Sequence, residues 1–178
     1  MINNNNDFGW MGECTVLMGD NTIKQTDKLN IGDIVMVPNG TATIKYILKT
    51  FVPLKKTTMC VFENGLHIKS LHMIKTDKWY PANKLVNETE CSIEYLYNIV
   101  LDSGHIMYVN QMKVITLAHG FTENACFHPY FGSNLVIDDI VNADLTNNGY
   151  VTINNLIVSR ENGIVVKLER NKYNRFVY

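Results

Sequence analysis

From residue 15 onward, short apolar runs alternate with turn signals, the pattern of many short β-strands. Residues 15–18 run into Gly19-Asp20-Asn21. Residues 33–37 run into Pro38-Asn39-Gly40, where Asn-Gly tolerates the positive φ of a tight hairpin. Over residues 43–51, Ile44, Tyr46 and Leu48 alternate with Lys45 and Lys49, which predicts a strand. Residues 59–62 and 66–71 flank a second Asn-Gly turn, Glu63-Asn64-Gly65. Residues 93–101, rich in Ile, Tyr and Val, end in Asp102-Ser103-Gly104, and residues 106–109 return from that hairpin, with 114–117 after a short turn. Near the end, residues 150–153, 156–159 and 164–168 are separated by Asn154-Asn155 and Glu161-Asn162-Gly163. One helix fits, over residues 136–145, where Val136, Ile137, Ile140, Val141 and Leu145 recur near the helical period. The expected fold class is all-β and mostly antiparallel, with at most one or two short helices.

With 178 residues, one domain is the natural reading. Residues 1–8, opening Met-Ile-Asn-Asn-Asn-Asn-Asp, read as a flexible polar leader, residues 9–170 as the domain and 171–178 as a tail. The apolar fraction of 46% supplies a core, and a net charge of −1 offers no electrostatic case for nucleic acid or an anionic membrane. No apolar run approaches the ~20 residues that span a bilayer, and no signal-peptide pattern opens the chain. The compartment stays unassigned.

Cys14, Cys60, Cys91 and Cys126 form no C-x-x-C and match no zinc spacing, so no metal or other cofactor is expected. Buried free thiols are the expectation, with disulfides only in a secreted setting.

Three blocks carry the chemistry. The first is Gly9-Trp10-Met11-Gly12-Glu13-Cys14 followed by the run 15–18, then Lys24 and Ile31-Gly32-Asp33-Ile34-Val35. The second is Leu66-His67-Ile68-Lys69-Ser70-Leu71-His72-Met73-Ile74, with Trp79 and Pro81-Ala82 beyond it. The third runs from Tyr97-Asn98-Ile99 through Asp102-Ser103-Gly104-His105 to Val109-Asn110. In this order they resemble the Hedgehog/intein (Hint) domains. Thr116-Leu117-Ala118-His119-Gly120-Phe121 and His128-Pro129-Tyr130-Phe131-Gly132 add a resemblance to the Hint domains found beside von Willebrand A domains, called Vint. The likeness covers roughly residues 9–168, and implies a horseshoe-like Hint fold whose core ends, near residues 9 and 116, meet at its centre.

The resemblance also implies self-processing of the backbone just before position 9. There a cysteine thiol attacks the preceding carbonyl, an amide becomes a thioester, and a histidine protonates the departing nitrogen. His72 falls on that histidine. Gly9 falls on the cysteine and provides no nucleophile, and Lys69 falls on a threonine that helps hold the scissile amide. A cation at 69 near His72 would favour the neutral imidazole. His105 and His119 are the other polar groups that the resemblance brings towards the centre. The asparagine that cyclises in splicing has no counterpart, since Ile115-Thr116 stands at its place, so splicing is not expected. The implied partner is the upstream segment of the chain's own parent polypeptide, with water, a thiol or an alcohol as acceptor of the thioester.

Other readings stand beside this one. His128 is expected to pack, His67 to face solvent on a strand, and Cys14 to be a small buried side chain, with the role of a replacement nucleophile as its alternative. The domain as a whole is either an autoprocessing domain silenced by Gly9 or a catalytically dead Hint fold serving as an interaction or structural module. A metal-binding β domain is a third reading, and needs Cys and His ligands converging on one ion.

Overall fold

The computed structural model describes residues 7–172; residues 1–6 of the expected leader and 173–178 of the expected tail lie outside that range. The N-terminal strands are β1 (Trp10–Met11), β2 (Thr15–Leu17), β3 (Ile23–Gln25), β4 (Ile34–Val37) and β5 (Gly40–Phe51). They are followed by β6 (Lys56–Val61), β7 (His67–Ile68), β8 (Met73–Lys75), β9 (Trp79–Pro81) and β10 (Glu88–Ser92). Next come β11 (Tyr95–Leu101), β12 (Ile106–Val109) and β13 (Met112–Ile115), then helix α1 (Asn134–Ala143). Strands β14 (Tyr150–Ile153), β15 (Leu156–Glu161) and β16 (Ile164–Arg170) close the described chain. The all-β, mainly antiparallel expectation matches this architecture. No helix among the described residues is long and apolar enough to cross a membrane.

Strand β5 is the axis. It pairs antiparallel with β4 and β11 and parallel with β14, inside a sheet that continues from β11 through β1, β7 and β6 to β10. A second sheet runs β3-β2-β12-β13-β8-β9, and β15 pairs with β16 alone. The first core fills the space between the two main sheets and includes Trp10, Ile47, Ile68, Ile74, Ile99 and Val114. A second core lies under α1 and includes Leu48, Val100, Tyr130, Phe131, Val136 and Ile140. Neighbouring residues of one strand thus enter different cores: Ile47 and Leu48 on β5, Ile99 and Val100 on β11. Residues 116–170 form an annex built on the far face of β5 and β11, held to it by the parallel β14 ladder and by a bridge between Val100 and Leu117.

Several elements differ in extent from the sequence reading. The helix begins at Asn134, two residues early, because the Ser133 side chain accepts the Leu135 N–H as an N-cap. It ends at Ala143, leaving Leu145 outside and 77% exposed. The run 66–71 pairs only at His67–Ile68, and the turn after it exposes Leu71 and delivers His72 to the interior. Strands β3, β8 and β9 are three residues each, too short to display an alternation.

Trp10 fixes the start of the domain. It pairs with Tyr97 on one side and Ile68 on the other, and its side chain is fully buried. Its Nε1–H donates to Thr26 Oγ1 at 2.9 Å, and that hydroxyl donates onward to the Cys14 carbonyl at 2.8 Å. Thr26→Val strands the buried indole N–H, while the Cys14 carbonyl keeps the Thr26 backbone N–H at 2.9 Å, and should cost about 1–3 kcal/mol in urea denaturation.

Candidate functional site

Seven buried polar side chains occur among the described residues, and five of them, Lys69, His72, Asn98, Thr116 and His119, lie around residues 8 and 9 or the cavity beside them. Buried polar groups are costly unless paired, so their convergence marks this place out chemically.

His72 stands at the centre. Its Nδ1 accepts the Gly9 N–H at 2.9 Å, and its Nε2 meets the Ile115 carbonyl at 2.8 Å. An Nδ1 that accepts leaves the proton on Nε2, so the ring is the Nε2–H tautomer donating to Ile115. One imidazole therefore bridges the position before β1 and the end of β13, and the two ends of the expected Hint core meet. Burial pushes the His72 pKa down to about 4, opposed by the Ile115 hydrogen bond and aided by nearby His119.

The bond between Phe8 and Gly9 is gripped on both sides. Asn98 Nδ2 donates to the Phe8 carbonyl at 3.3 Å, and the Lys69 backbone N–H donates to the Gly9 carbonyl at 2.9 Å. Lys69 thus touches position 9 through its main chain. Its ammonium turns away to Thr57 Oγ1 at 2.9 Å and the Thr58 carbonyl at 3.0 Å. This corrects the expectation that a cation beside His72 sets the imidazole's charge: burial is the leading cause.

A cavity of about 140 Å³ opens next to Phe8, lined among others by His72, Thr116, Leu117, His119, His128 and Phe131. His119 accepts the Phe121 N–H through Nδ1 at 2.9 Å and is likewise pushed down to about 4 by burial, with His105 and His128 contributing. His105 stands further back, its ring edge-on to Phe121 at 6.4 Å, and its Nδ1 has no partner among the described residues. Cys14 is 1% exposed, takes the His67 N–H on its sulfur at 3.5 Å, and has its pKa pushed up to about 11 by burial. That is the environment of an inert structural thiol. All four cysteines are free. Among the described residues no group of three or more His, Cys, Asp or Glu converges as a metal site would require.

Two residues at this place were not singled out by sequence reasoning. Asn98 sits on β11, whose other residues past Tyr95 are buried and apolar, and one amide within such a run was the available signal. Thr116 was noted only as the place of a missing asparagine; the residue is among those lining the cavity, and its hydroxyl is buried and has no partner among the described residues.

Gly9 is more than an absent side chain. Its φ of +116° belongs to glycine, and a Cβ built there would lie 2.8 Å from Asn98 Nδ2 and 2.9 Å from the Tyr97 carbonyl oxygen. Gly9→Ala should cost about 1–3 kcal/mol, read as a lowered urea midpoint with an unchanged slope.

The two depressed histidines predict an acid limb. Between the ordinary histidine value of 6.5 and about 4, the unfolded chain binds protons that folded His72 and His119 refuse. Their contribution is complete above pH 6.5 and is lost as pH falls towards 4. Urea titrations across that window should show stability falling by on the order of a few kcal/mol, and His72→Gln should flatten the dependence.

A family model described as Vint, a Hint-domain, matches residues 9–167. Among solved structures the chain is similar to a DnaB intein from Synechocystis sp. PCC 6803, at 12% identity and a TM-score of 0.50, covering 61% of this chain and 98% of that one. A variant of the Ssp DnaB mini-intein is similar at 11% identity and a TM-score of 0.50, covering 63% of this chain and 96% of that one. These likenesses speak to the fold alone. A comparison with curated proteins finds no match.

Proposed function

Since the chain belongs to the Vint family of Hint domains, we propose that it is an autoprocessing scaffold whose reaction point is the bond between Phe8 and Gly9, held uncut because position 9 has no nucleophile. The observation that carries this reading is the pair of hydrogen bonds across that bond. The His72 imidazole takes the Gly9 N–H while the Asn98 amide donates to the Phe8 carbonyl. A departing nitrogen needs a proton and a developing oxyanion needs a donor, and these are the two groups so placed.

With a thiol at position 9, the chemistry balances as follows. Neutral His72 takes the thiol proton, and the sulfur attacks the Phe8 carbonyl carbon. The π electrons move to the oxygen, which Asn98 stabilises. Collapse breaks the carbon–nitrogen bond, and the proton on His72 passes to the nitrogen, leaving a thioester and a free α-amine. The Ile115 carbonyl, accepting from Nε2, supports the brief imidazolium. An acceptor hydroxyl, thiol or water then opens the thioester; the adjacent cavity, with Thr116 among its lining residues, has the size for a small one. Lys69 acts through its main-chain hold on Gly9, and His105 and His119 through the polar lining behind the cavity.

The second reading, a Hint fold retained as a non-cleaving module, draws on one specific observation. The backbone of Gly9 has settled into a conformation that no L-cysteine adopts without strain. It keeps the upstream residues bound rather than released.

The chain as written should keep its intact mass through days of incubation with dithiothreitol. A Gly9→Cys variant carrying an upstream reporter should release that reporter on thiol addition. His72→Ala in that background should slow release by about 10²-fold or more. Absence of release from a folded Gly9→Cys protein favours the module, and cleavage before residue 14 would assign the chemistry to Cys14 instead.

A further inference from the structure

The two residues that precede position 9 are held by a part of the chain far away in sequence. The Phe8 ring packs 4.0 Å, centroid to centroid, from Phe131, 5.6 Å edge-on from His128 and 6.0 Å from His72. The Asp7 carboxylate meets the Arg160 guanidinium at 2.6 Å. Three of these four partners belong to the annex.

We propose that the annex reads the end of the upstream segment, taking an aromatic side chain at position 8 and a carboxylate at position 7. This rests on the reading of the Phe8–Gly9 bond as the reaction point. It adds a selectivity that the His72 and Asn98 hydrogen bonds do not supply, because those bonds reach only backbone atoms of residues 8 and 9.

The wall and the cation are also held by contacts of their own. His128 Nδ1 accepts the N–H groups of Tyr130 and Phe131 at 3.2 and 3.0 Å, which locks the imidazole against the Phe131 ring at 4.8 Å. Phe131 is 4% exposed and packs on Tyr130 in the second core. The resulting wall is aromatic on two sides, and aromatic groups meeting in tilted or edge-on fashion select another ring over an aliphatic chain. Arg160 is aimed by two features. The β15–β16 ladder shifts register between Ser159 and Arg160, the kind of irregularity that redirects a side chain, and Arg160 Nη1 donates to the Gly163 carbonyl at 3.1 Å. The β14–β5 ladder ties this assembly to the strand beside β11, which carries Asn98, so recognition and the reaction point share one rigid frame.

The test uses the full chain and two readouts. Amide hydrogen exchange at Gly9 reports the hold on the upstream residues. Phe8→Ala should speed it about tenfold, and Arg160→Gln two- to fivefold at low salt, with Arg160→Lys recovering most of the difference. Exchange at Trp10 and Ile68 should stay unchanged, which separates loss of the grip from loss of the fold. Unchanged Gly9 exchange in both Phe8→Ala and Arg160→Gln would overturn the proposal. The second readout is thiol-triggered release from Gly9→Cys fusions that differ at positions 7 and 8. Phe8→Tyr should release at a rate close to Phe8, while Phe8→Lys and Asp7→Lys should release about tenfold more slowly. Equal release from all of them would overturn recognition and leave processing standing. Faster exchange without release from any fusion would leave recognition standing and remove the reaction on which its purpose depends.

Discussion

The buried imidazole of His72 is the constraint on which this architecture turns. It joins the residue in front of β1, in one sheet, to the last residue of β13, in the other, through its two ring nitrogens. Burying an imidazole this deeply penalises the charged form, and the same burial makes the ring a clean acceptor towards Gly9 and a clean donor towards Ile115. A charged ring has no acceptor nitrogen and would break the contact with Gly9. Tautomer, protonation state and the meeting of the two sheets are therefore one fact seen three ways.

Around that point the fold supplies backbone contacts that a sheet provides at little cost. Trp10 pairs on both sides, so residue 9 is delivered at a defined height between β7 and β11. The Lys69 N–H closes on the Gly9 carbonyl as β7 ends. Strands β5 and β11, buried on both faces, let a second core grow behind the first, and the annex occupies that second face. The annex adds aromatic and charged surfaces aimed at the residues upstream of position 9.

Glycine at position 9 offers no nucleophile of its own, and with φ at +116° its backbone lies where a side chain would collide with Asn98 and the Tyr97 carbonyl. Any side chain placed there therefore asks the backbone to move.

The sequence by itself determined the class of fold and the identity of the central pair. Asn-Gly turns between short apolar runs dictate antiparallel hairpins for a local reason, since few residues tolerate their backbone angles. The resemblance of the blocks to Hint domains implied that Gly9 and His72 belong together, and a hydrogen bond joins them in the structure. Tertiary structure decided the rest. Asn98 reads as one more strand residue until β11 proves to be buried on both faces, because alternation is informative only when one face meets water. Lys69 keeps its place beside Gly9 but sends its charge elsewhere, a choice made by acceptors on β6 that no local pattern displays. The contact between Asp7 and Arg160 spans 153 positions, and no periodicity carries information over that distance. It exists because a parallel strand, β14, brings the end of the chain back to its beginning.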